Sequence, residues 1–136
     1  MTERIRTASP FEERYGFCRA LRVGNRIEVA GTAPIPQDGS PTPKDAHGQM
    51  LLCGQIAIEA LERLGGSVTD VIRTRMFITD AVDADAVGTA HGTLFGAARP
   101  VSTMVVVAGL LDPVWRVEIE VEAVVSDSPR SDEVVS

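Results

Sequence analysis

With 136 residues, 44% hydrophobic and 24% charged side chains, the chain has the size and composition of one soluble globular domain. A net charge of −6 and a pI near 4.8 weigh against a nucleic-acid partner, because binding phosphates draws on a basic surface. No apolar run approaches the roughly 18 residues of a membrane span and no charged-then-apolar leader is present, so a cytoplasmic protein without a membrane partner is expected.

Residues 1–14 are polar, charged and interrupted by Pro10, and read as a loose arm or a short first strand. Phe17–Val23 and Arg26–Ala30 are apolar-rich runs around Gly24-Asn25, a pair suited to the positive φ of a tight hairpin turn. Gly31 to Pro43, with its four prolines, is a loop. From Lys44 to Leu64 the pattern turns helical, with Met50, Cys53, Ala57, Ala60, Leu61 and Leu64 on one face; Asp45 stands near its start and Gly65-Gly66 ends it. Asp70–Asp80 is a strand with Arg73, Arg75 and Phe77 on one face and Ile72, Thr74, Met76 and Ile78 on the other. Val82 to Phe95 is a weaker helix containing Gly88 and Gly92.

Two strands follow, one running from Val101 and one covering Val117–Ala123, joined through Leu110–Trp115. The expected order is strand, strand, helix, strand, helix, strand, strand, an α+β fold with a mixed sheet and two helices on one face. Residues 1–125 form the single expected domain, and 126–136, rich in Ser, Asp and Pro, a flexible C-terminal tail. The run Val105-Val106-Val107 is apolar on both strand faces, which calls for a second subunit to cover the sheet.

Few patterns carry chemistry. Cys18 and Cys53 read as small buried apolar residues, and His47 and His91 lack the partners of a metal site, so neither metal nor cofactor is expected. Nothing matches a dinucleotide or phosphate loop. Glu118, Glu120 and Glu122 alternate with Val117, Ile119 and Val121, placing three carboxylates on one face about 6.5–7 Å apart. They form either a solvated face, with Arg73 and Arg75 as cross-strand partners, or a row in which one glutamate sits in a cleft and takes a proton from water. Ser102 and Thr103 put hydroxyls at a strand entrance, with no Ser-His-Asp arrangement legible. His91, near the end of the second helix, reads as packing or as a cleft donor or base.

Several short pieces, each weak alone, become specific in their order and spacing: Val23-Gly24-Asn25, Ala30-Gly31-Thr32-Ala33-Pro34, Leu64-Gly65-Gly66, Asp70-Val71-Ile72-Arg73-Thr74, Ile78-Thr79-Asp80, and Arg99-Pro100 through the Val-Glu-Ile-Glu strand. On these the chain resembles the Rid family of small trimeric proteins, also called the YjgF/YER057c/UK114 family, from about Phe17 to Val125. The resemblance implies a chorismate-mutase-like fold and a homotrimer whose sheets form a central barrel, with small-molecule clefts between subunits. It implies hydrolysis of enamines and imines to ketoacid and ammonia. In such proteins an arginine at the start of the penultimate strand grips the substrate carboxylate, and a glutamate on the last strand positions water.

Residue by residue, Glu118 matches that glutamate, Phe17 a cleft tyrosine, Gly31 the glycine turn lining the cleft, and Met104 a pocket position often held by cysteine. The arginine position is Ser102, which supplies neither charge nor a two-pronged donor. A charge-assisted bond of about 1.5–3 kcal/mol is lost, so an α-imino acid should bind at least about tenfold more weakly. Arg99 and Arg75 are the alternative donors. The expectation is a divergent hydrolase or deaminase of imines, enamines or related metabolites; the alternative is a non-catalytic or regulatory small-molecule-binding protein, with ribonuclease activity the weakest reading.

Overall fold

Of the two readings of residues 1–14, a loose arm or a short first strand, the strand is the one that forms, followed by a helix that the sequence pattern did not predict. In the computed structural model, which describes residues 1–126, these are strand β1 (Thr2–Ile5) and a short helix α1 (Pro10–Tyr15). Helix α1 starts where Ser9 accepts from Phe11 N–H at 3.4 Å and Pro10 occupies the first turn. Gly16, at φ +75, ends it. Of the expected tail, 127–136 lie outside the described residues.

The hairpin forms as predicted, from β2 (Ala20–Val23) and β3 (Arg26–Thr32), with Val23 opposite Arg26 and Gly24 at φ +59. Helix α2 (Ala46–Arg63) starts at Asp45, whose carboxylate accepts from Gly48 N–H at 2.9 Å. It ends before Gly65, at φ +88. All six apolar residues of the predicted face are buried. Strand β4 (Val71–Ile78) leads through a 3₁₀ turn into α3 (Ala84–Phe95), and β5 (Val101–Val106) and β6 (Val117–Val124) complete the sheet.

Its order is β1-β2-β3-β6-β4-β5. All pairs are antiparallel except β4 and β5, which run parallel because α3 carries the chain back between them. The last two strands, consecutive in the chain, therefore do not pair with each other: β4 lies between them. The result is the mixed-sheet α+β fold expected. Val117, Ile119, Val121 and Ala123 meet the buried faces of α2 and α3 in one aliphatic core, where Phe95 is the fully buried aromatic.

One face assignment changes. A register shift between Val71 and Arg73 puts Val71 into the core and leaves Ile72 43% exposed. A second shift, between Val29 and Thr32 of β3, places Ala30 and Gly31 at an irregular step beside β6.

Candidate functional site

The register of β6 against β4 separates the three glutamates. Glu122 lies opposite Arg73 and Glu120 opposite Arg75, whereas Glu118 lies opposite Phe77. Glu122 is the hub of a ladder, with Arg26 at 2.7 Å, Arg75 at 3.0 Å and Arg73 at 3.6 Å. Arg75 also reaches Glu120 at 3.5 Å. Two members of the row thus belong to a solvated, ion-paired face, and Arg75 is engaged there. Glu118 accepts no hydrogen bond among the described residues, and burial pushes its pKa up, partly offset by Arg19 and reinforced by Glu120.

Glu118 opens into a small pocket of about 80 Å³ at the end of the sheet. Of four Phe, one Tyr and one Trp in the whole chain, Phe11, Tyr15, Phe17 and Trp115 line it, with Ile35, Ile56 and Leu111. Phe11 stacks on Tyr15 at 5.8 Å and meets Trp115 edge-on at 6.1 Å. An apolar wall with one elevated carboxylate is the ordinary composition of a small-molecule site. Phe17 and Gly31, singled out from the sequence, both line it. Gly31 is needed for close approach: a Cβ there would stand 2.9 Å from Glu118 Oε1.

Sequence reasoning missed the device that holds this wall. Arg19 and Glu12 are buried, 4% and 2% exposed, and paired at 3.2 Å. Arg19 also donates to the Gly31 carbonyl and, at 3.1 Å, to Thr32 Oγ1, filling acceptors that the irregular step in β3 leaves unpaired. Glu12 in turn accepts from Thr7 N–H at 2.9 Å and from the Thr7 hydroxyl, fastening α1 over the pocket. Arg19, one of two arginines inside the apolar-rich run Phe17–Val23, was the available signal. The aromatic members Phe11, Tyr15 and Trp115 had none, being far apart in sequence.

Ser102 lies elsewhere. It pairs with Thr74 on the edge strand β5, on the face opposite to that of Glu118, with β4 between the two. Thr74, fully buried, joins Ser102 Oγ at 2.8 Å and His91 Nε2 at 2.7 Å, and His91 packs on Phe95 at 5.0 Å. Burial holds the His91 pKa below the ordinary histidine value. Met104 shares the Ser102 side of β5 and comes near Gly88 of α3. Arg99 is exposed at φ +48 in the turn before Pro100. Within one chain, then, the predicted residues form a pocket around Glu118, a hydroxyl–imidazole cluster around Ser102, and two arginines in neither. Cys53 is buried, which pushes its thiol pKa up and keeps it protonated; both cysteines are free. Among the described residues no group of three or more His, Cys, Asp or Glu is placed to hold a metal, and no helix is long and apolar enough to cross a membrane.

The family model described as Endoribonuclease L-PSP matches residues 7–125, nearly the whole domain. A crystal structure of Rv2704 from Mycobacterium tuberculosis, described as a member of the YjgF/YER057c/UK114 family, superposes with a TM-score of 0.83 at 34% identity, covering 92% of this chain and 100% of that one. The chain belongs to this family. Among its relatives, the uncharacterized protein SCO2049 of Streptomyces coelicolor is 41% identical over 120 residues, 88% of this chain and 90% of that protein. The RutC family protein PYRAB12510 of Pyrococcus abyssi is 30% identical over 79% of this chain and 84% of its own length. Escherichia coli TdcF, solved with bound serine, has a TM-score of 0.77 at 26% identity, covering 90% of this chain and 94% of its own. The shared fold accounts for the strand order.

Proposed function

We propose that the protein is a cytoplasmic homotrimer that hydrolyses imines or enamines of small metabolites in clefts between subunits, with Glu118 as the proton acceptor for the attacking water. The observation that carries this reading is the isolation of Glu118: it is the one member of the glutamate row opposite an apolar residue, and it faces an aromatic-walled pocket with its carboxylate unpaired. An elevated carboxylate is a stronger base than an ion-paired one, and the nearby Arg19 only partly offsets the rise that burial gives Glu118. Water adds to the carbon of C=N while its proton passes to Glu118. That proton passes to nitrogen, giving the neutral carbinolamine; Glu118 then takes the remaining hydroxyl proton and delivers it to nitrogen as the C–N bond breaks, so that ketone and ammonia leave and imine plus water balance.

The assembly supplies what one chain lacks. Val101, Val105 and Val106 of the edge strand are exposed, at 58%, 43% and 56%, and a neighbouring copy packed there brings its Glu118 pocket towards Ser102 and Met104, as the resemblance implies for a trimer with a central barrel. Bound serine in TdcF supports a ligand of amino-acid size. The aromatic wall favours substrates with apolar side chains, and a serine at position 102, with Arg75 ion-paired to Glu122, favours those without a carboxylate. That second feature supports the alternative reading, a binding or regulatory protein that kept the pocket without turnover. A net charge of −6 gives no support to nuclease activity, whatever the family model's description.

Ammonia release from 2-aminoacrylate and from imines of bulkier apolar amino acids, generated in situ, decides between them. Turnover that drops at least 100-fold in Glu118→Ala supports the hydrolase. Absence of turnover on every imine, with retained ligand binding, supports the binding protein.

A further inference from the structure

A line of three side chains runs from under helix α3 to the open edge of the sheet: His91 Nε2, Thr74 Oγ1 at 2.7 Å, and Ser102 Oγ at a further 2.8 Å. Thr74 is fully buried, His91 half-buried and Ser102 exposed, so the line connects the interior to the surface. Each hydroxyl has a single proton, which gives the two links a common direction. With a hydrogen on Nε2, His91 donates to Thr74, Thr74 donates to Ser102, and the Ser102 proton points outward. The structure has Thr74 donating to Ser102, the first of these states; with Nε2 bare, the line reverses, Thr74 donates to it, Ser102 donates inward, and the surface sees only lone pairs.

We propose that this line is a relay through which the proton on His91 makes Ser102 the donor to a ligand's carbonyl or carboxylate oxygen, so that the edge of β5 selects uncharged carbonyl compounds when the imidazole is neutral and accepts carboxylates when it is charged. The inference rests on the reading that β5 lines the ligand cleft, and it gives Ser102 a task different from that of a permanent cation. A neutral imidazole with its hydrogen on Nε2 supplies a donor without charge, which suits an amide or ketone oxygen. Protonation adds a positive charge two hydrogen bonds away and extends the preference to anions.

Few other charges face this line. β5 has no titratable side chain, Arg73 and Arg75 of β4 project from the other face, and Cys53 of α2 is neutral in the core. On α3 the charged residue is Asp85, in the first turn. Burial is the resolved cause of the His91 shift, so its titration falls below the ordinary histidine range. Glu118 of a neighbouring copy also titrates and repels carboxylates when charged; a variant at His91 separates the two contributions.

The test compares pyruvamide with pyruvate, an uncharged and a charged 2-oxo compound, by NMR titration of the full-length protein from about pH 8 down through the His91 transition, followed in the same spectra. Pyruvamide affinity should be nearly flat, with His91 held as the Nε2–H tautomer in long-range nitrogen spectra. Pyruvate should tighten at least about fivefold as pH falls through the His91 transition. Ser102→Ala should weaken both about tenfold. His91→Gln, which keeps an N–H donor near Nε2 and removes the titration, should retain pyruvamide binding and lose the His91-linked part of the pyruvate profile. An unchanged pyruvate profile in His91→Gln, unchanged affinities in Ser102→Ala, or no binding of either compound at millimolar concentration overturns the relay. Shifts confined to Phe17 and Glu118 overturn it while leaving the cleft; a monomer by light scattering removes the intersubunit cleft independently of these titrations.

Discussion

At the scale of single residues, Glu118 couples stability to chemistry. A carboxyl whose folded pKa is raised binds its proton more tightly in the folded state than in the unfolded one. Its contribution is therefore favourable at low pH and is lost as pH rises from the ordinary glutamate range through the folded value. Glu118→Gln removes that loss: urea melts should show wild type losing stability relative to the variant over this interval, with the variant at least as stable at pH 8. Turnover should disappear in the same variant, and in wild type the acid limb of the rate profile should lie above the ordinary glutamate range. Gly31→Ala is a companion case. Its new methyl would meet the free end of Glu118, which can swing aside, so stability should change by less than about 1 kcal/mol while turnover falls. Melting curves and ammonia release on one preparation check both halves.

At the scale of elements, the Arg19–Glu12 pair joins α1, β2 and the irregular step of β3 into one unit. Removing one partner of a buried pair leaves the other charged and unpaired in the interior. Arg19→Met should therefore destabilise by about 3–5 kcal/mol, read by urea denaturation, and loosen the aromatic wall with it. The outer ladder behaves differently. Arg75 is 42% exposed, so Arg75→Gln should lose less than about 1 kcal/mol in the isolated chain, and that loss should shrink with added salt. The contrast follows from solvent: water screens one network and is excluded from the other. At the end of α2, Gly65 sits at φ +88 with Arg22 Nη1 2.8 Å from where a Cβ would be, which is why that helix stop was readable from the sequence.

At the scale of the whole molecule, the exposed valines of β5 lie on an unpaired edge strand, an arrangement that invites association. Light scattering at micromolar concentration should give three times the 14.5 kDa chain mass. Val105→Lys should reduce that mass and abolish turnover, because in the proposed trimer it would separate Glu118 of one copy from Ser102 of the next. A monomeric wild type that still turned over imines would sink the intersubunit cleft.

The sequence by itself determined what depends on neighbours along the chain. Glycines that accept positive φ placed the hairpin and the stop of α2, three-and-four spacing marked the buried face of that helix, and alternation put the glutamates on one side of β6. The α+β class followed from the order of these elements. Tertiary structure decided what depends on partners brought from a distance. Periodicity assigns a residue to a face without saying what stands opposite, so only the register against β4 distinguished Glu118, facing Phe77, from its two ion-paired neighbours. The contact of Arg19 with Glu12 and Gly31, the gathering of Phe11, Tyr15, Phe17 and Trp115, and the line from His91 to Ser102 likewise arise from packing between separate elements. Local sequence carries no term for such contacts, because their energy exists only once the sheet has closed.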